Sequence, residues 1–111
     1  MGRGMKPVEI TVTCTDEDEA VRIMRHAVEH RLAACGQTWP IRSCYRWEEE
    51  VVLDREYVLL LKSVDSHFEA LCEMIRSLHS YELPSIVMVP LDGTGTGYVE
   101  WLVDSTAPAV T

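Results

Sequence analysis

Apolar and polar residues alternate strictly from Val8 to Thr13. Val8, Ile10 and Val12 fall on one side, and Glu9, Thr11 and Thr13 on the other, the period-two signature of a half-buried strand. The period then lengthens. Ala20, Met24, Ala27, Val28 and Leu32 recur at helical spacing and predict a helix to about Ala34 with that stripe inward. Thr15 with Asp18 three residues on reads as a capping box, and Asp16-Glu17-Asp18 places negative charge where a helix dipole favours it. Gly36 is the expected stop.

Gln37 to Trp47 is rich in strand formers but contains Pro40, which has no amide donor. That strand is expected to begin after the proline or to lie at a sheet edge there. Glu48-Glu49-Glu50 reads as a polar turn, and Val51 to Val64 as a long strand centred on Val58-Leu59-Leu60-Leu61, the two strands forming a hairpin. Ser66 is placed to cap a second helix to about His79, with Phe68, Leu71, Cys72, Ile75 and Leu78 inward. After a loop at Tyr81 to Pro84, Ser85 to Leu91 reads as a strand. Gly93, Gly95 and Gly97 mark a flexible connector, lacking the strand, helix and lysine context of a nucleotide-binding loop. Tyr98 to Val103 then reads as a short helix with Trp101 and Leu102 inward, and a frayed tail follows from Ser105.

The order β-α-β-β-α-β plus a terminal helix predicts an α+β fold of the ferredoxin-like, split β-α-β type, with two helices on one face of an antiparallel sheet. One domain is expected to span residues 1–111, with an ordered core over about 8–104. The hairpin is longer than the first and last strands can cover. Its overhang would leave apolar sheet edges in water, and assembly through those strands is the natural remedy.

Composition narrows the function. Among 111 residues, 18 acidic against 10 basic ones give a formal charge of −8, which argues against nucleic-acid binding and suits attraction of cations. No apolar run approaches the roughly 20 residues that span a bilayer, so no membrane partner is expected. Met1 to Lys6 has neither the apolar stretch of a signal peptide nor a good myristoylation pattern, and a cytoplasmic location is expected. Cys14, Cys35, Cys44 and Cys72 form no CxxC pair, and Cys44 and Cys72 are expected to be small buried residues. No catalytic triad or carboxylate pair is recognisable, so the chain is not read as an enzyme.

Several segments together resemble the CutA divalent-ion-tolerance family. They are Val12-Thr13-Cys14 before an acidic helix start, Arg31 to Cys35, Tyr45-Arg46-Trp47-Glu48, Leu61-Lys62-Ser63, Leu78 to Pro84, and Tyr98 to Leu102. The resemblance covers about residues 8 to 104. It implies a ferredoxin-like protomer in a tight homotrimer similar in architecture to PII signalling proteins, and a link to tolerance of divalent cations, copper especially. The chain departs from the family pattern at Thr15-Asp16, Ser80 and Glu49-Glu50.

Cys14 and His79 match the positions at which the resemblance implies copper binding. Thiolate and imidazole suit copper or another borderline divalent metal. The competing reading is a core thiol and a helix-terminal histidine complementing the dipole. Cys35, Tyr45, Trp47, Glu48, Lys62, Tyr81 and Glu82 are candidates for a ligand cleft between protomers, or, on the alternative reading, for packing there. A PII-like module sensing a small anion or metabolite at such clefts is the second functional reading.

Overall fold

The computed structural model describes residues 5–109. The residues Met1 to Gly4, on which part of the N-terminal reading rests, and the last two of the expected frayed tail lie outside them. The elements are β1 (Pro7–Cys14), α1 (Glu17–Glu29), β2 (Cys35–Trp47), β3 (Glu50–Val64), α2 (Phe68–Leu78), β4 (Ile86–Pro90) and α3 (Tyr98–Ser105). The four strands form one sheet in the order β2-β3-β1-β4, every neighbouring pair antiparallel. This is the split β-α-β arrangement: β1 and β2 run parallel, with β3 between them.

The alternation in β1 is realised residue by residue. Val8, Ile10, Val12 and Cys14 are buried with Leu59 and Leu61 of β3, and α1 and α2 close over them through Ala20, Ile23, Ala27, Leu71, Met74 and Ile75. The α1 stripe differs from expectation at its far end. Ile23 joins it, while Val28 is 39% exposed. The N-cap is Asp16, not Thr15: its carboxylate accepts from the Glu19 amide at 2.9 Å.

The helix stops five residues before Ala34, and Gly36 plays no part in stopping it. Arg31 takes the left-handed conformation at φ 60°, Arg31 N–H donates to the Val28 carbonyl and Leu32 N–H to the Ala27 carbonyl. Those two bonds are the Schellman termination, with arginine where glycine is usual. A left-handed non-glycine residue costs about 1–2 kcal/mol. The offset is tertiary: the Arg31 guanidinium donates to the Ala107 carbonyl and to the Asp104 carbonyl at 2.9 Å, tying α1 to the end of α3. Gly36 lies in β2, where a Cβ would sit 2.7 Å from Met24 Cγ. It permits close approach of β2 to α1.

Pro40 sits within β2 on the sheet edge, the position that tolerates a missing donor. Trp47 pairs with Glu50, and Glu48 and Glu49 both have positive φ (48° and 68°), the two-residue turn whose twist matches a hairpin. Ser66 caps nothing; Asp65–His67 is a short 3-10 turn and α2 begins without a side-chain cap. In α3, Leu102 is fully buried and Trp101 is 43% exposed, so only one of the two expected inward residues points in. Ser105 is helical and Thr106 is buried, which corrects the start of the expected frayed tail. Cys72 is buried as expected, whereas Cys44 is exposed because its strand has left the helices behind.

The overhang is explicit in the register. β1 pairs with β3 only over Tyr57–Val64, so residues 50–56 have β2 on one side and, among the described residues, no strand on the other. Leu53 is 80% and Val51 64% exposed there, and Val87 and Val89 are exposed on the opposite edge strand.

Candidate functional site

Two structural features meet where β1 ends. The first is a buried junction between the β1–α1 turn and the residues after α2. The thiol of Cys14 points into the core at the last position of β1's inward face, and α2 ends so that His79 comes back to the same point. Glu19 enters from the first turn of α1. The Cys14 sulfur, a Glu19 oxygen and a His79 nitrogen all lie within 4.8 Å of one another. The structure thus brings the two sequence-predicted metal candidates together and adds a third donor. Glu19 was not singled out in the sequence because its acidic neighbours, Glu17 and Asp18, are equally suited to the helix dipole and remain exposed.

Each member of this trio is already engaged. His79 Nε2 donates to the Thr13 carbonyl at 2.7 Å, while Nδ1 accepts from the Tyr81 amide at 2.9 Å. Those partners assign a neutral ring protonated on Nε2. Glu19 accepts the Thr15 amide on Oε1 (2.9 Å) and the Ser80 amide on Oε2 (2.8 Å). Burial pushes the Glu19 carboxyl up, but the hydrogen bonds from Thr15 and Ser80 outweigh it and hold the group below its ordinary value. The Cys14 thiol moves the other way. Burial, reinforced by the charges of Glu19, Glu56 and Asp16, pushes it up to about 12. Sulfur, nitrogen and oxygen donors fit copper or zinc in type. To ligate, the thiol would have to lose its proton and His79 to give up one of its two hydrogen bonds. As it stands, the trio is a fastening between two loops, reinforced by the 2.8 Å contact between the Thr15 and Ser80 hydroxyls.

The second feature is a cleft of about 650 Å³ on the other side of the same loop. Tyr45, Trp47 and Glu56 of the hairpin and Tyr81 and Glu82 of the loop line it, with Cys44 at its side. The Tyr81 hydroxyl donates to Glu56 Oε2 at 2.8 Å, and the Tyr45 hydroxyl to Asp54 Oδ2 at 3.0 Å. Burial first, and the bond to Glu56 second, push the Tyr81 phenol up to about 12.

The protomer therefore divides the predicted cleft residues. Tyr45, Trp47, Tyr81 and Glu82 line the cleft, and Glu48 stands at the hairpin tip beyond it. Cys35 and Lys62 form a cross-strand pair elsewhere, beside Tyr98: Cys35 Sγ is 3.7 Å from the Tyr98 hydroxyl, and Lys62 Nζ lies 5.9 Å from its ring centre. Glu56, which sequence reading missed, is 5% exposed. Its one legible signal is a charge at the edge of an apolar strand.

Comparison with known proteins follows the same lines. Residues 8–105 match the family described as CutA1 divalent ion tolerance protein. The chain belongs to the CutA family. The divalent-cation tolerance protein CutA of Thermus thermophilus is 39% identical over 98 residues, covering 87% of this chain and 95% of that protein. That of Thermotoga maritima is 37% identical over 93 residues, covering 84% and 92%. A solved structure of the Thermus thermophilus protein superposes with a TM-score of 0.88 at 37% identity, covering 91% of this chain and 99% of that one. CutA membership assigns a role in divalent-cation tolerance, and the family is not one of known enzymes.

Proposed function

We propose that this CutA-family chain acts as a non-enzymatic homotrimer in the cytoplasm and responds to copper or a related divalent ion through the Cys14–Glu19–His79 junction. The observation that carries the metal reading is the convergence of three donors of borderline character within 4.8 Å, in the family tied to cation tolerance. Cys14 would supply sulfur, His79 nitrogen and Glu19 oxygen, and the ion would supply a charge that these groups could share once freed from their present bonds. Isothermal calorimetry with Cu(I) and Cu(II), on wild type and Cys14→Ala, tests it. Saturable binding lost in the variant is expected; the same heat in both would remove Cys14 from the reading.

The trimer reading is supported by the hairpin. Residues 50–56 have one unpaired side, Leu53 and Val51 lie open to water, and β4 offers a second exposed edge. Pairing such edges between copies buries apolar area and unpaired backbone groups together. Light scattering is expected to return three times the protomer mass of 12.6 kDa. A stable monomer at micromolar concentration overturns it. A reducing compartment such as the cytoplasm would keep the four cysteines as thiols, in line with that placement.

A further inference from the structure

The C-terminal end of α1 carries a second pair of metal-type donors, apart from the Cys14 junction. His26 and His30 stand one helical turn apart, His26 half-buried and His30 exposed at the cap. Residues i and i+4 of a helix are neighbours, and two histidines so placed are the chelating pair of helical zinc sites. The two ring centres are 3.9 Å apart and the ring planes 21° from parallel. A metal with nitrogens at about 2.0–2.1 Å spans about 3 Å between them, which exposed rings at this spacing meet by a small rotation about their Cβ–Cγ bonds. His30 Nδ1 donates to the His26 carbonyl at 3.0 Å. A carbonyl only accepts, so the proton of the neutral ring sits on Nδ1 and the lone pair on Nε2. Metal-bound imidazoles have this arrangement, the second nitrogen donating to a carbonyl or carboxylate. No thiol has to be deprotonated and the bond to the carbonyl is kept, in contrast to the Cys14 junction.

The segment His26-Ala27-Val28-Glu29-His30 also has the H-x-x-E-H order of one class of zinc peptidases. Glu29 is here paired with Arg25 at 2.6 Å. Among the described residues no third histidine, cysteine or acid completes a set of three with the pair within 4.8 Å. The remaining coordination positions therefore fall to water or to a second molecule, and the pair carries no catalytic step. Imidazole nitrogens without a thiolate suit Cu(II), Ni(II) and Zn(II), whereas Cu(I) prefers sulfur and calcium prefers oxygen. The negative end of the α1 dipole and a formal charge of −8 both favour a cation there. Neither histidine belongs to the hairpin overhang or to β4, the edges assigned above to pairing between copies, and α1 lies on the helix-covered face of the sheet.

We propose that His26 and His30 form a second metal site, a two-imidazole chelate at the C-terminal end of α1 for a divalent transition ion of the Ni(II), Cu(II) and Zn(II) class. The site is separate from the Cys14 junction and does not depend on metal binding there.

The test is calorimetric titration of the full-length protein, in its solution assembly, with Ni(II), which does not oxidise thiols, and with Ca(II) as the control. Cys14→Ala, which removes the thiol of the junction, should still bind one Ni(II) per chain, and Ca(II) should give no saturable heat. His26→Gln or His30→Gln in that background should weaken Ni(II) about tenfold or more, because each leaves a single imidazole where two act together. The same substitutions in the wild-type chain should remove the same heat, which keeps the test independent of how well Cys14→Ala folds. Glu29→Gln should retain affinity within about threefold, since Glu29 is not a ligand. No saturation at millimolar Ni(II), equal binding of Ca(II), or Ni(II) binding that survives both histidine substitutions together overturns the proposal. So does loss of all Ni(II) binding in a folded Cys14→Ala, which would put the ion at the junction, or loss in Glu29→Gln. The two sites are read apart with copper as well: Cu(I) reports the thiol, while a residual Cu(II) heat in Cys14→Ala that vanishes with His30→Gln belongs to this pair.

Discussion

Replacing Glu19 by Gln isolates the fastening at the end of β1. The side chain is 4% exposed and accepts two backbone amides, one from Thr15 and one from Ser80, 61 residues apart in the chain from Glu19 to Ser80. A hydrogen bond to a charged acceptor contributes about 1.5–3 kcal/mol, against about 1 kcal/mol for a neutral one. Gln keeps the shape but has a single acceptor. Its oxygen can hold one amide as a neutral bond, while its NH₂ meets the other donor to donor. The expected loss is about 2–4 kcal/mol, a large share of the 5–15 kcal/mol that a domain of this kind has. At about 4 °C per kcal/mol the melting temperature should fall by about 8–16 °C.

The pH dependence supplies an independent check. The folded-state pKa of Glu19 lies below its ordinary 4.5. Its stabilisation is therefore complete above the unfolded value and is lost as pH falls through the depressed folded value. Gln does not titrate. Urea unfolding at fixed protomer concentration should show a gap between wild type and Glu19→Gln of about 2–4 kcal/mol at pH 7, and a much smaller one at pH 3. A gap below about 1 kcal/mol at pH 7, or one that is the same at both pH values, would refute the assignment of Glu19 as a charged fastening.

The same physical account makes further claims. Because burial holds the Cys14 thiol up at about 12, any metal it ligates must displace a proton. Apparent affinity should rise by about tenfold per pH unit between pH 6 and 9, and a flat profile by calorimetry would exclude thiolate ligation. An aromatic disulfide reagent should label exposed Cys44 rapidly and leave buried Cys14 unmodified until the protein unfolds, as read by mass spectrometry of digested samples. Changing Glu48-Glu49 to Asn-Gly should raise stability by about 1–2 kcal/mol, since both residues are held at positive φ; no gain in a denaturant titration would contradict the turn geometry. Arg31→Ala keeps the left-handed position but removes both bonds to the end of α3, and should cost about 2 kcal/mol or more in the same titration.

The sequence by itself determined the element order, the inward face of β1 and the overlong hairpin. Those are local matters: period two or 3.6 is written in consecutive residues, and an edge proline such as Pro40 states its own constraint. It also carried the family, through short segments whose order survives divergence. The exact stop of α1 was not local. Nothing in positions 30–36 favours termination at Arg31 over Gly36 until the carbonyls of Asp104 and Ala107 arrive to hold the arginine. Ser66 and Thr15 have the right chemistry for caps, yet α1 is capped by Asp16 and α2 follows a 3-10 turn with no side-chain cap.

The site divides in the same way. Cys14 and His79 could be named from their types and positions, but their meeting depends on α2 ending over the tip of β1, a contact across 65 residues. Glu19 and Glu56 look like ordinary surface acids in the sequence. Only the tertiary structure buries them, and burial is what turns one carboxylate into a fastening for two backbone amides and the other into the acceptor of the Tyr81 hydroxyl. Solvation and hydrogen-bond partners belong to the folded surroundings, so donor state and cleft polarity had to wait for the structure, whereas the pattern of strands and helices did not.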